Sequence, residues 1–290
     1  METINRRTLR QRFTAYLRHP LSALLMLLVM LSAVITVGIL LLLVGYILIK
    51  GIPHLTPSLF AWTYTSENVS MTPAIINTIT MTLLSLLIAV PIGVCAAIYL
   101  TEYAGRGNKL VGVVRITAET LSGIPSIVYG LFGYLVFVNF CGWGYSLLAG
   151  SLTMTIMILP LIMRTTEEAL KAVPDSYREG SFGLGAGRLR TVFRIVLPSA
   201  APGILAGVIL AIGRIVGETA ALLYTSASVT GVADTLMEPG RTLAIHMYSL
   251  SNEGLYTDQA YATAVVLLIV VVGINALSGL IARKVGTKSE

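Results

Sequence analysis

The chain has 290 residues, of which 55% are hydrophobic and only 12% are charged, and its mean hydropathy is +0.82. Soluble domains carry about 25% charged residues, so this composition excludes an ordinary soluble protein and indicates a membrane protein. A formal net charge of +6 would suggest nucleic-acid binding in a soluble protein. Here the basic residues lie between apolar runs and form no stripe, which argues against a nucleic-acid partner.

The chain begins with a basic tail, residues 1–20, followed by an apolar run over 21–49. A secretory signal peptide would have an apolar core of only about 7–15 residues. The run is also longer than the roughly 20 residues that a bilayer crossing needs. It therefore predicts a retained transmembrane anchor that is tilted or projects beyond the membrane.

Five further apolar stretches are each long enough to cross a bilayer. They are residues 74–100, 121–141, 145–163, 202–224 and 260–282. A short glycine-containing turn separates the third and fourth spans of the chain, which is typical of an antiparallel helix pair. The sequence therefore predicts an all-α polytopic membrane protein with six transmembrane helices.

Lysine and arginine residues set the predicted orientation of these spans. Seventeen of the 20 fall on one side: five in the N-terminal tail, three between the second and third spans, six between the fourth and fifth, and three in the tail over 283–290. Only Lys50 and Arg241 fall on the other side, and Arg214 lies within the fifth span. Because cytoplasmic segments carry the excess of basic residues, both termini are predicted to be cytoplasmic.

The longest segment predicted on the outer side covers residues 225–259 and contains five charged residues. Two interpretations remain open for it. It could be a solvated connector between the last two spans, or a docking surface for an external partner.

The inner loop over 164–201 is predicted to contain two short helices joined by a glycine-rich turn. Pro174 and Asp175 are typical of a helix start. One packed face of this first helix is predicted to consist of Tyr177, Ser181, Phe182 and Leu184. The second helix is predicted over 188–195, with Pro198 as its stop. The glycines between the helices lack P-loop spacing, so nucleotide hydrolysis is not predicted in this chain.

Two charges stand out within the fifth predicted span. Arg214 lies near its middle, where an arginine costs about 2.5–3.5 kcal/mol on insertion. Glu218 follows four residues later, so both side chains are predicted to project from one helix face. They could simply neutralise each other, with Glu119 as an alternative ion partner for the arginine. They could instead line an anion path.

Hydroxyl donors for such a path are Thr219, Ser122 and Ser126. An alternative of another class is a proton-coupled secondary transporter that uses Arg214 and Glu218, although no clear internal repeat supports it. A membrane enzyme would need a convergent catalytic set, which the scattered histidines and cysteines do not provide. The histidines also lack metal-ligand spacing, so no metal site is predicted.

Two sets of motifs resemble known transport proteins. The first resembles the coupling motif of ABC-importer permeases and consists of Glu179, Gly180, Ser181, Gly185, Ile195, Leu197 and Pro198. It departs from that family at Gly180 and Ser181, where the family has a Glu-Ala-Ala-like triplet. The second set, Gly123 to Gly130 and Arg214 to Ala220, resembles the phosphate-specific permeases. Its residues are closer to those of PstA subunits than to those of their PstC partners.

The resemblance implies a type-1 permease core over 71–282 with a cytoplasmic coupling helix. It implies a non-catalytic subunit of an ATP-driven phosphate importer in the bacterial plasma membrane, forming half of the translocation path. The implied partners are a sister permease, two ATP-binding subunits that bind ATP and Mg²⁺, and an extracytoplasmic phosphate-binding protein. This chain would hold no cofactor. A permease for another anion, or the sister subunit itself, remains the alternative within the class.

Overall fold

The computed structural model describes residues 20–105 and 107–286. The predicted basic tail up to residue 19 and the last residues of the predicted C-terminal tail, 287–290, lie outside the described residues. The chain divides into two compact units, residues 1–50 and 51–290. Every regular element in the described ranges is a helix, as the all-α prediction requires.

Helix α1, Pro20–Gly51, has 32 residues, and all of them except the last belong to the first unit. Its leucine, isoleucine and valine side chains are exposed along most of its length. At about 1.5 Å per residue the helix is longer than the roughly 30 Å hydrocarbon core of a bilayer. The apolar run 21–49 is thus helical throughout, and its role as a transmembrane anchor stays a prediction.

The second unit opens with two short 3₁₀ turns, Ile52–His54 and Pro57–Phe60. Its helices follow in chain order: α2 Thr72–Ile98, α3 Lys109–Ser122, α4 Ser126–Gly133, α5 Leu147–Lys171, α6 Asp175–Gly183, α7 Arg188–Thr191, α8 Leu197–Gly217, α9 Ala220–Leu223, α10 Leu243–Glu253 and α11 Thr257–Gly286. Single π-helical segments extend three of them: Tyr99–Tyr103 after α2, Tyr134–Phe140 after α4, and Val192–Val196 between α7 and α8.

Within the described residues, five helices are long and apolar enough to cross a membrane, and one bent pair makes a sixth candidate. The bent pair corrects the third predicted span, which was expected to be one helix over 121–141. The chain turns by 102° between α3 and α4. Pro125 has an extended ψ of 140°, and a proline disfavours helical geometry at the residue before it, so the helix breaks there.

Helix α5 forms the centre of the second unit and packs against both α2 and α8. Small residues allow these helices to approach closely. A Cβ atom on Gly93 of α2 would lie 2.8 Å from Ile162 Cγ2 of α5, and one on Gly207 of α8 would collide with Thr165 of α5. The buried side chains Met154, Ile158 and Ile162 of α5 belong to the main core.

The second of the two helices predicted in the loop, over 188–195, is longer in the structure. Pro198 was expected to stop it, but the helix is continuous over Arg188–Gly217, so that prediction is wrong. The π-helical segment Val192–Val196 comes directly before α8, in whose first turn Pro198 lies. Proline is tolerated in a first turn because its missing N–H has no obligatory partner there. The change of hydrogen-bond pattern therefore accommodates Pro198 without ending the helix.

The segment after α9 packs against the start of α2. The Asn77 side chain donates to the carbonyls of Gly231 (3.0 Å) and Arg241 (3.3 Å) and accepts from the Ala233 amide (3.2 Å). Helix α10 then buries several of its side chains, including Ile245. Part of 225–259 is therefore packed against α2 and the core, whereas residues 234–237 are exposed, and the docking interpretation stays a prediction.

Candidate functional site

Arg214 was predicted to lie near the middle of a longer span. In the structure it lies in the last turn of helix α8, which ends at Gly217. Glu218 has extended backbone angles (φ −74°, ψ 131°) and lies outside the helix. Its Oε1 accepts a hydrogen bond from the Ala221 amide at 3.1 Å, at the start of α9. The prediction that Arg214 and Glu218 project from one helix face is therefore wrong, and no ion pair within 4.0 Å joins these two described residues.

The two helix breaks pack against each other. A Cβ atom on Gly130 of α4 would lie 2.8 Å from the Cα atom of Ala221, so the two backbones are in direct contact. The Tyr129 hydroxyl donates to the Leu121 carbonyl at 2.7 Å across the break between α3 and α4. Arg214 lies within electrostatic range of Tyr129. The structure therefore brings together the two motifs that the sequence singled out.

The remaining predicted hydroxyl residues lie at these breaks. Ser126 is the first residue of α4, and Thr219 is the N-cap of α9. Ser122 is the last residue of α3, and its hydroxyl donates to the Glu119 carbonyl at 2.7 Å. Broken helices at membrane depth are tolerated where they are buried in protein or line a cavity.

A cavity of about 550 Å³ opens between α3, α5 and α8. It contains two of the predicted path residues, Ser122 and Arg214, whereas Ser126, Glu218 and Thr219 are not part of its wall. The other lining residues are Arg115, Ala118, Glu119, Pro160, Leu161, Met163, Arg164, Thr165, Glu167, Glu168 and Lys171.

Three of the four cations around this cavity are paired with carboxylates. Arg115 Nη2 and Lys171 Nζ lie 2.7 Å and 2.6 Å from the same oxygen, Oε1 of the buried Glu167. Arg164 pairs with a glutamate one turn further along α5 at 3.1 Å.

Arg214 is the fourth cation of the cavity, and it forms no ion pair with another residue in the described ranges. Glu119, its predicted alternative partner, lines the same cavity without pairing to it. The cavity thus presents one guanidinium without an ion-pair partner among the described residues, whereas its other cations are paired with carboxylates.

At the loop end of the second unit, Arg178 of α6 connects several elements. Its guanidinium contacts Glu102 through Nε–Oε1 (3.1 Å), Nε–Oε2 (3.3 Å) and Nη2–Oε1 (2.7 Å). It also donates to the carbonyls of Leu170 (2.9 Å) and Val173 (2.8 Å) and to Asp175 (3.2 Å). The hydrogen bond with Glu102 raises the pKa of Arg178, against the opposing effect of burial.

The outer surface of α6 differs from its prediction. Only Ser181 of the predicted packed face is buried, and its hydroxyl lies 2.8 Å from that of Thr191. Tyr177, Phe182 and Leu184 are exposed, the last by 91%. These apolar side chains are therefore available to a partner.

The other residues of the coupling motif occupy different positions along the loop. Glu179 and Gly180 are exposed on α6, and Gly185 forms the turn between α6 and α7 with a φ of +81°. Left-handed backbone of this kind favours glycine. Ile195 and Leu197 are half-buried, and Pro198 is exposed.

The sequence prediction missed Glu102, Arg178 and the Glu167 cluster. Glu102 and Arg178 are 76 positions apart, and no local pattern connects residues at such a separation. Both charges lie next to apolar spans, but the positive-inside rule uses such charges to predict the orientation of the spans and does not predict contacts between residues.

These features define a class: a multi-pass membrane component of a transporter, with two broken helices facing each other and a charged cavity at the loop end. Residues 89–287 match the family described as binding-protein-dependent transport system inner membrane component, and the chain belongs to that family. Membership removes the secondary-transporter alternative.

Curated relatives cover most of the chain. A probable ABC transporter permease protein, YqgI of Bacillus subtilis, is 35% identical over 278 residues, which is 89% of this chain and 92% of that protein. The phosphate transport system permease protein PstA of Yersinia pestis is 35% identical over 244 residues, 81% of each chain.

Solved structures show the same fold. A chain of a bacterial alginate ABC transporter, in complex with an alginate-bound periplasmic protein, has a TM-score of 0.64 and 18% identity, covering 93% of this chain and 98% of its own. A chain of the MetNI methionine ABC transporter has a TM-score of 0.60 and 22% identity, covering 74% and 94%. The type-1 importer permease fold is thereby confirmed.

Proposed function

We propose that this chain is a permease subunit of an ATP-driven importer of inorganic phosphate and forms half of its translocation path. Relatives from Yersinia pestis and Pasteurella multocida, which are 35% and 36% identical to this chain, carry the name phosphate transport system permease protein PstA. Their similarity extends over 81% and 78% of this chain. The chain itself carries no catalytic role in this proposal.

The observation that carries the proposal is the uncompensated Arg214 in the loop-end cavity. A guanidinium offers a planar fork that matches two oxygens of a phosphate group. Arg115 and Lys171 already share the carboxylate of Glu167, so Arg214 is the cation of this cavity that has no carboxylate partner among the described residues. Weak, single-site binding permits release, which any conduction path requires.

The two helix breaks continue the proposed path beyond the cavity. Ser126 and Thr219 offer hydroxyl groups where the helices are interrupted. Ser122 lines the cavity, and its hydroxyl would rotate away from the Glu119 carbonyl to donate to phosphate. Glu218 fixes the break by capping α9, and its negative charge disfavours tight retention of an anion.

The proposed partner at the loop is a separate ATPase that binds ATP and Mg²⁺. Helix α6 presents the exposed Glu179 and Gly180 beside its apolar side chains, which suits insertion into a groove on that subunit. The segment from Ile195 to Pro198 then leads directly into α8, which carries Arg214. The other proposed partners are a sister permease and an extracytoplasmic phosphate-binding protein.

We also propose that the loop end faces the cytoplasm of a bacterial cell, with both termini on that side. The excess of lysine and arginine in the loop-end segments supports this orientation. The basic residues of α6 and α7, including Arg178, Arg188 and Arg190, lie at this end.

Substitution of Arg214 tests the proposed function. In the assembled complex reconstituted into liposomes, Arg214→Gln should lower ATP-dependent uptake of radiolabelled phosphate by about tenfold or more, because a hydrogen bond to a charged group contributes about 1.5–3 kcal/mol. Arg214→Lys should fall between wild type and Arg214→Gln, since it keeps the charge but loses the fork.

Arg164→Gln is the matched control, because it removes a cation from the same cavity whose ion pair is exposed. Uptake by this variant should stay within about twofold of wild type, since exposed pairs contribute little. Near-normal uptake by Arg214→Gln, with normal amounts of assembled complex, would refute the role of Arg214. ATP-dependent uptake of another anion in place of phosphate by the wild-type complex would refute the substrate.

A further inference from the structure

Helix α6 is attached to the rest of the unit at two points other than its chain ends. Near its start, Arg178 reaches the π-helical segment after α2 through Glu102 and the end of α5 through the Leu170 carbonyl. Near its end, Ser181 contacts Thr191 of α7 through a buried pair of hydroxyl groups, 2.8 Å apart. The first attachment leads to α2 and α5, and the second leads to α8.

The Arg178 attachment is built from well-shielded groups. The exposed fractions of the Arg178 and Glu102 side chains are 15% and 9%. All three guanidinium nitrogens form hydrogen bonds. Nε and Nη2 donate to the Glu102 carboxylate, Nη2 also donates to the Leu170 carbonyl of α5, and Nη1 donates to the Val173 carbonyl just after α5. Shielded, multiply bonded arginine–carboxylate pairs fix geometry more firmly than surface pairs do.

Of the two helices that Arg178 holds, α5 lines the charged cavity, and α2 packs against α5. Helix α5 supplies most of the lining residues, and α8 contributes Arg214 opposite them. Along the chain, α6 connects to α5 through residues 172–174 and to α7 and α8 through the turn at Gly185. Without Arg178, a displacement of α6 would still reach α5 and α8 along the chain, but it would lose the ion pair that joins α6 to the π-helical segment after α2.

We propose that Arg178 is a positioning residue for energy coupling: its clamp on Glu102 and on the end of α5 makes α2 follow the movement of α6 together with α5, the helix that lines the cavity. This inference rests on the proposed function, because it takes α6 as the contact with an ATPase. It adds a specific route by which the loop acts on the path.

The structure provides a matched pair of variants for the test. Glu102→Gln and Asp175→Asn each remove one carboxylate charge next to Arg178, but Glu102 is shielded whereas the Asp175 side chain is 79% exposed. In the purified, reconstituted complex, we would measure phosphate carried per ATP hydrolysed, the amount of ATPase bound, and the thermal midpoint of unfolding.

Glu102→Gln and Arg178→Lys should both hydrolyse ATP but carry roughly fivefold less phosphate per ATP, a typical size for coupling between sites. Lysine keeps the charge but cannot span Glu102 and both carbonyls. The double variant should be no worse than either single variant, because the two residues act as one unit. Asp175→Asn should leave the ratio unchanged.

An unchanged phosphate-to-ATP ratio in both Glu102→Gln and Arg178→Lys would overturn the inference, whatever happens to thermal stability, because a purely structural role predicts that outcome. If Glu102→Gln fails to assemble, Glu102→Asp tests the same point, since it keeps the charge and shortens the reach. It should then give an intermediate ratio, and a wild-type ratio would count against the clamp.

A second readout separates this inference from the proposed substrate. A nitroxide label on Ser176→Cys, with Cys95 and Cys141 replaced by serine, reports the mobility of α6 in the complex. Glu102→Gln should add a mobile component to the spectrum, and Asp175→Asn should not. If the wild-type complex hydrolyses ATP but carries no phosphate, the proposed function fails, whereas an unchanged spectrum in Glu102→Gln refutes the clamp.

Discussion

Individual charges in this protein are distinguished by their partners more than by their positions along the chain. Burying a charge is costly unless it is paired, so cations that remain at a membrane-protein cavity are usually compensated. Arg115, Arg164 and Lys171 follow this rule through carboxylates on α5. Arg214 does not, and the cost of keeping it unpaired is a reason to assign it to an anion that passes through.

A second residue-scale feature lies at the far end of the unit, away from the loop. His246 of α10 is fully buried, and the edge of its ring contacts Tyr64. The guanidinium of Arg241 stacks over the face of the same tyrosine, 4.7 Å from the ring centre. Burial and the neighbouring Arg241 lower the pKa of His246 to about 3, against an opposing effect of the Val69 backbone.

His246 should therefore make the stability of this region depend on pH. Unfolded histidine has a pKa of about 6.5, so between about pH 6.5 and pH 3 the unfolded chain binds a proton that the folded chain does not. Stability is fully present above pH 6.5 and is lost as pH falls, by at most about 1.4 kcal/mol per pH unit. Thermal unfolding of wild type and His246→Gln from pH 7 to pH 4.5 should show a flatter dependence for the variant. Parallel curves would contradict this assignment.

At the scale of helices, apolar run length was sufficient to predict where the long helices lie, because a bilayer crossing requires about 20 apolar residues. The ends and breaks were not predictable in the same way. Helix α8 stops at Gly217 without a proline, and Glu218 beyond it accepts a hydrogen bond from the Ala221 amide at the start of α9. It continues through Pro198 because a π-helical segment precedes that residue. Both outcomes depend on hydrogen-bond geometry that hydropathy does not encode.

The candidate site shows the same limit. The sequence identified Arg214 and Ser122, which line one cavity, because a charge or hydroxyl in an apolar run is conspicuous. It paired Arg214 with Glu218 on the assumption of a continuous helix, and that assumption failed. Glu102 and Arg178 could not be paired from sequence, since only the packing of α2 beside α5 brings them together.

Helix packing between α5 and α8 should depend on Gly207. A methyl group there would collide with Thr165, whereas the same group on Gly213, two turns further along α8, would meet nothing within 4 Å. Gly207→Ala should therefore destabilise the purified chain by about 1–3 kcal/mol, the usual cost of overpacking. Gly213→Ala should be neutral or stabilise by up to about 1 kcal/mol, because alanine is the better helix former. Equal thermal midpoints for the two variants would contradict the close approach of α5 and α8.

For the whole molecule, exposed apolar side chains at the two ends of the second unit suggest different partners. The loop end exposes Tyr177, Phe182 and Leu184 on and beside α6, next to basic residues. The far end exposes Leu255 in the connection between α10 and α11. Under the proposed function, the first surface meets the ATPase and the second does not.

This difference predicts how a single leucine should affect assembly. Leu184 is 91% exposed in the chain, and burying a leucine side chain in a partner stabilises a complex by about 1.5–3 kcal/mol. Leu184→Ser should therefore weaken ATPase binding by about tenfold or more, measured as ATPase retained on the affinity-purified permease over a range of concentrations. Leu255→Ser removes an 80% exposed leucine from the far end, and it should retain wild-type binding. Equal losses in both variants would indicate a general effect on folding, and full retention by Leu184→Ser would exclude this leucine from the interface. Because Leu184 is exposed and is not part of the cavity wall, a selective loss of binding would place the ATPase at the end of α6 independently of the transported anion.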